Sequence, residues 1–255
     1  MKKIIFALFC IIASGANAQI ADSVKKNLTT APDTVKRLYS KPRSFLPPVI
    51  LVGYGVLSFV VKPVRNIDYY VQGRIERSSP TFNTKVDDYL QLSPIVLVYG
   101  LNLAGVEGKN RFVDRTALAI LSGGILTVTD GLKYVAHRQR PYSTDPLSFP
   151  SGHSGAAFLA AEYLAQEYGE KSPLYGVLGY SIATTTAIMR LYDRAHWFSD
   201  VVAGAGFGIL STKAAYLVYP SIRNLLTHKD KQGRSSMVMP TYQDGTPGLA
   251  FAMQL

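Results

Sequence analysis

The 255 residues of this chain suffice for one sizeable domain with short tails. Hydrophobic residues make up 47% and charged residues 17%, against a globular norm of about 25% charged, which tilts the class toward a tightly packed helical or membrane-associated protein. The net charge of +10 suits phosphate-bearing substrates or anionic lipid head groups, whereas scattered bases without a recognised motif argue against a nucleic-acid partner.

Residues 1–18 have the pattern of a secretory signal: Lys2 and Lys3, the apolar run Ile4–Ile12, then Ala16-Asn17-Ala18 before Gln19. The run is shorter than the roughly 20 residues of a spanning helix, so cleavage is expected. Cleavage would remove two lysines and no acids, leaving a net charge of +8. It would also remove Cys10, the single cysteine, and with it any disulfide or thiol chemistry. Such a chain is exported, to the periplasm or the membrane facing it.

Residues 19–44 form a polar, lysine- and arginine-bearing arm. Apolar stretches follow at Phe45–Val61, Tyr89–Val106, Thr116–Thr129, Gly155–Ala165, Ser172–Met189 and Val201–Thr212. Their length and their alanine, leucine and glycine content predict about six helices and an all-α bundle over residues 45–222. Phe45–Val61 would give roughly 25 Å of helix, short of a ~30 Å hydrocarbon core, and two other stretches are shorter still. A compact polytopic protein and a peripheral bundle both fit this pattern. In the tail, residues 223–255, a turn signal at Asp244–Gly248 precedes alternating Leu249, Phe251, Met253 and Leu255, which predicts a β-hairpin.

Three clusters carry the chemistry. Lys133 and Arg140 are seven apart, before Pro141; on a helix they would share one face and suit an oxyanion, although a basic helix end has the same look. In Pro150-Ser151-Gly152-His153, serine and glycine open an apolar helix, where free N–H groups bind anions and His153 could protonate a leaving oxygen. An ordinary serine cap beside a surface histidine reads identically. In the third, Arg190 precedes His196 by six residues and Asp200 follows it by four. At helical spacing the Asp200 carboxylate can reach the imidazole and make it a better nucleophile, with Arg190 as a phosphate clamp. The bland alternative is a helical salt-bridge pair. Each bland reading stands alone comfortably, but all three within 68 residues do not. His137, one turn beyond Lys133, is a weaker candidate.

The motif series Lys133-x6-Arg140-Pro141, Pro150-Ser151-Gly152-His153 and Arg190-x5-His196-x3-Asp200 resembles the type 2 phosphatidic acid phosphatase superfamily, which includes class A acid phosphatases and vanadium haloperoxidases. The resemblance spans roughly residues 90–215. It implies a helical bundle and a phosphatase with no catalytic metal, in which His196 attacks phosphorus, Asp200 orients it and His153 protonates the departing alcohol. It further implies that Lys133, Arg140, Ser151, Gly152 and Arg190 hold the phosphoryl oxygens. Many members have serine where this chain has Met189, which implies altered affinity. No cofactor is implied, and vanadate is expected to inhibit. Substrates compatible with the pattern include phosphatidic acid, phosphatidylglycerol phosphate, polyprenyl diphosphate, lipid A phosphates and soluble phosphomonoesters. The rival readings are a vanadium-dependent haloperoxidase, with vanadate as cofactor, and a non-catalytic membrane or scaffold protein.

Overall fold

The computed structural model describes residues 42–229, 235–243 and 246–253, with side chains through residue 224. The expected signal sequence, with Cys10, and the expected polar arm up to residue 41 lie outside the described residues. A short 3-10 turn, Pro42–Phe45, leads into α1 (Leu46–Leu57) and α2 (Lys62–Ser78). Then follow α3 (Val86–Leu90), α4 (Ser93–Leu103), α5 (Phe112–Asp130), α6 (Lys133–Ala136), α7 (Gly152–Tyr168), α8 (Pro173–Tyr192) and α9 (Phe198–Leu226). The protein is a helical bundle, as expected.

Three differences from the expected helices matter for the site. First, α2 reads as polar in sequence, with Lys62, Arg65, Asp68, Arg74, Glu76 and Arg77, yet it packs through Asp68, Gln72 and Ile75. Second, the stretch Tyr89–Val106 is two helices, since Ser93-Pro94 starts a new one. Third, α5 and α9 run well past their uncharged cores, because charged residues at their ends are buried in ion pairs. Arg115 meets Glu167 at 3.1 Å and Arg223 meets Asp114 at 2.9 Å. Helices that looked too short are therefore long.

Among the described residues, Phe112–Ala136 and Phe198–Asn224 are long and apolar enough to cross a membrane, and α1 with α2 forms a third candidate bent by 89°. Ile120 and Val128 on α5 and Leu174 and Val177 on α8 face outward. An apolar exterior of that kind on span-length helices marks a membrane-associated bundle.

The centre of the bundle is the crossing of α7 with α9. A Cβ placed on Gly208 would lie 2.1 Å from the Gly155 carbonyl oxygen, and one on Gly204 would lie 2.4 Å from that of Ser151. Only glycine allows this approach. It brings the first turn of α9 against the start of α7, where the Ser151 N–H donates to the Asp200 carbonyl at 3.1 Å.

Beyond α9 the chain forms a three-stranded antiparallel sheet in the order β1 (Thr227–Lys229), β2 (Ser235–Gln243), β3 (Thr246–Met253). The β2–β3 hairpin, with Gln243 opposite Thr246, falls where the turn signal puts it.

Candidate active site

Four helix ends meet at one end of the bundle: the C-termini of α5 and α8 and the N-termini of α7 and α9. The loops joining them, residues 137–151 and 193–197, fill the space between.

His196 is the centre of this region. It is buried, and its Nδ1 lies 2.7 Å from the Ser148 carbonyl oxygen. A carbonyl only accepts, so Nδ1 carries the proton and Nε2 keeps its lone pair. Burial, followed by the positive charges of Arg140, Lys133 and Arg190, pushes the His196 pKa well below its ordinary value. The ring is held neutral, with Nε2 unprotonated.

The expected contact between His196 and Asp200 is not made. His196 precedes α9 and is not part of it, so the four-residue helical spacing does not apply. Asp200 instead accepts from Ser148 Oγ at 2.5 Å and caps the Trp197 N–H at 3.0 Å. Arg138 takes its other oxygen at 2.8 Å. Asp200 therefore orients His196 at one remove: it holds Ser148 by the hydroxyl, and the Ser148 carbonyl holds the imidazole.

Arg138 is the hub of that support. Besides Asp200 it bonds Asp68 at 2.6 Å, Ser199 at 2.7 Å and Ser58 at 3.0 Å. Asp68 in turn accepts from the Ser199 N–H at 2.8 Å, tying α2 to α9. Sequence reasoning missed Arg138, Asp68, Ser148 and Ser199. Asp68 lies 128 residues from His196 in a helix without a motif, and Arg138, two residues before the motif's Arg140, has no pattern of its own.

Lys133 and Arg140 do not share a helix face. α6 stops at Ala136, because His137 adopts a left-handed conformation with φ 43°, and the following residues are loop. The cations still converge on His196, but through loop geometry. Lys133 donates to the Pro150 carbonyl and pairs with Asp130 at 3.6 Å. Arg140 donates to the Ala195 carbonyl at 3.0 Å and pairs with Asp145 at 2.7 Å. Arg190, in the last turn of α8, pairs with the buried Asp87 at 2.6 Å. His137 lines a separate cavity of about 340 Å³ with Arg65, Tyr69 and Trp197.

Ser151 caps α7 by accepting from the Ser154 N–H at 3.4 Å, and Gly152 is the first helical residue. An added Cβ at Gly152 would come within 3.5 Å of Asp130, so that carboxylate sits beside the open N–H groups of the helix start. His153, in the first turn, is half-buried, with Nε2 2.7 Å from Asp88 Oδ1. Asp87 and Asp88, both on α3, were also missed by the sequence reading; the helix is only five residues long and its acids look like a solvated turn.

All eight expected site residues thus gather at one end of the bundle. The PAP2 superfamily model matches residues 115–223, a span containing all of them. The chain belongs to the PAP2 superfamily. It is 32% identical over 190 residues to a lipid A 1-phosphatase of Porphyromonas gingivalis, a match covering 72% of this chain and 40% of that protein. The chain thus spans less than half the length of this curated relative. Two solved structures are similar: Aquifex aeolicus LpxE, with TM-score 0.42, 20% identity and coverage of 56% of this chain and 92% of that one; and a transmembrane PAP2 type phosphatidylglycerolphosphate phosphatase of Bacillus subtilis, with TM-score 0.32, 16% identity, and 86% and 96% coverage.

Proposed function

We propose that this PAP2 protein is a phosphatase that removes phosphate from membrane lipids through a phosphohistidine on His196. The observation that carries the reading is a buried, neutral imidazole whose free Nε2 lies among three cations and a helix N-terminus. A phosphoryl group needs little covalent chemistry from a protein beyond a nucleophile, positioning and charge stabilisation of its equatorial oxygens. Lys133, Arg140, Arg190, the Ser151 hydroxyl and the N–H at Gly152 supply the stabilisation. His196 Nε2 attacks phosphorus, and His153 gives its proton to the leaving ester oxygen. Water then attacks the phosphohistidine, with His153 as base.

Placement supports lipid substrates. The site lies at the ends of α5 and α9, both of span length, which would put it at the level of lipid head groups. The similarity to a lipid A 1-phosphatase favours a lipid phosphate, with phosphatidic acid and polyprenyl diphosphate as further candidates. We place the site on the periplasmic side, in keeping with the signal pattern in residues 1–18.

The reaction needs no metal in this reading, because the cradle cations perform the electrostatic work that a divalent ion does elsewhere. Phosphate release should survive excess EDTA and stop with orthovanadate, which mimics the five-coordinate phosphoryl group. Phosphate release from a panel of lipid and soluble phosphates, with wild type and His196→Ala, tests the assignment. Loss of activity in EDTA with recovery in zinc or magnesium would overturn it, and bromination after vanadate loading without phosphatase activity would point to a haloperoxidase.

A further inference from the structure

The two histidines of the site have different partners on their non-reacting nitrogens. His196 meets a neutral carbonyl; His153 meets a carboxylate, Asp88 of α3, at 2.7 Å. We propose that Asp88 is a positioning residue for the general acid: it holds the Nε2–H of His153, turns Nδ1 toward the leaving oxygen and neutralises the imidazolium until its proton is given up. This inference rests on the phosphatase reading above.

Three observations support it. A carboxylate accepts and does not donate, so the contact fixes the proton on Nε2 and makes Nδ1 the atom available to substrate. His153 lies in the first turn of α7, beside the partial positive charge of the helix N-terminus. The charged groups around it are Asp87, Asp88 and Lys85 on or before α3, Arg190 on α8, and Asp130 and Lys133 beside the start of α7. Of the acids, Asp87 is committed to Arg190 and Asp130 to Lys133, which leaves Asp88 as the counter-charge for the ring. The electrostatic coupling is visible on the acid itself: the hydrogen bond from His153 is the main cause holding the Asp88 carboxyl below its ordinary pKa.

The proton balance closes. As the His196 Nε2–P bond forms and the P–O ester bond breaks, the Nδ1 proton of His153 moves to the ester oxygen. The alcohol departs, and neutral His153 keeps its Nε2–H on Asp88. When water attacks phosphorus, Nδ1 takes a proton from it, the N–P bond breaks, and phosphate leaves with both histidines restored.

The test uses the full chain in detergent, with p-nitrophenyl phosphate as the good-leaving-group ester and a short-chain phosphatidic acid as the alkyl ester. Asp88→Asn should lower kcat/KM for the alkyl ester on the order of 10-fold to 100-fold, part of the 10²–10⁴ that general acids contribute, while changing the nitrophenyl ester about twofold or less. Asp88→Glu should restore most of the loss, and Asp88→Asn with His153→Ala should be no worse than His153→Ala alone. Equal losses on both esters, no loss on either, or an additive double variant would overturn the assignment. Absent phosphate release by wild type, or full activity in His196→Ala, would instead remove the phosphatase reading and this one with it.

Discussion

Each end of α7 holds a charge cluster, and the two are built on opposite plans. At the far end, buried Glu167 accepts from Arg115 at 3.1 Å, from Asn110 at 2.6 and 3.0 Å and from Tyr216 at 2.6 Å. One anion meets a ring of donors supplied by α5, α9 and the loop before α5. At the near end the sign is reversed: three cations and a helix N-terminus surround a neutral imidazole, and the acids lie outside them. The first arrangement is closed on itself and holds helices together. The second has positive charge facing an imidazole whose Nε2 keeps its lone pair, an arrangement that an arriving anion would complete. Charge clusters in one bundle can thus be told apart by whether their centre is already filled.

Replacing the centre of each cluster separates the two plans. His196→Ala should cost roughly 10⁴-fold or more in phosphate release, in the range seen when other nucleophiles are removed, while leaving thermal stability near wild type. An inactive but unfolded variant in circular dichroism would break the contrast. Glu167→Ala should do the reverse, because it leaves Arg115 buried without its carboxylate. Destabilisation of about 3–5 kcal/mol is expected, with normal kcat in the fraction that remains folded. Denaturant titration alongside activity per folded molecule measures both.

His153→Ala should produce a smaller, selective loss, about 10²-fold to 10⁴-fold with alkyl phosphates and much less with nitrophenyl phosphate. Equal losses would remove it from the general-acid role. The smallest effect concerns pH. Because burial and the cradle cations lower the pKa of His196, its ring stays neutral as pH falls through the ordinary histidine range. The acid limb of kcat/KM should therefore lie below pH ~6.5. The sign for stability is opposite: the unfolded chain takes up the proton first, so this residue contributes a loss of stability as pH falls below ~6.5. An acid limb at or above that value would contradict a buried neutral nucleophile.

The contrast also explains what the sequence could and could not convey. Lys133, Arg140, Ser151, Gly152, His153, Arg190, His196 and Asp200 were legible because they form motifs of uncommon residue types at fixed separations. Their supports were not. Asp200 looked like the partner of His196 because four residues separate them, yet the helix begins between them and Ser148 takes the imidazole instead. Asp68 and Arg138, which hold Asp200 in place, are 70 residues apart and meet only where α2 approaches the loop after α6. The helical class was legible from composition and apolar stretches. The length of α5 and α9 was not, since Asp114, Arg115, Lys213 and Arg223 interrupt the apolar pattern and only tertiary pairing keeps them inside helices.

The central claim is that the near end of α7 surrounds a nucleophile, and trapping the intermediate tests it most directly. Wild-type protein and His196→Ala would be mixed with a ³²P-labelled lipid phosphate and quenched in base within one turnover. The account predicts a label on wild-type protein that survives base, is lost in acid and maps to the peptide containing His196, with none on the variant. Label on the variant, or rapid turnover by wild type with no base-stable adduct at any quench time, would contradict it.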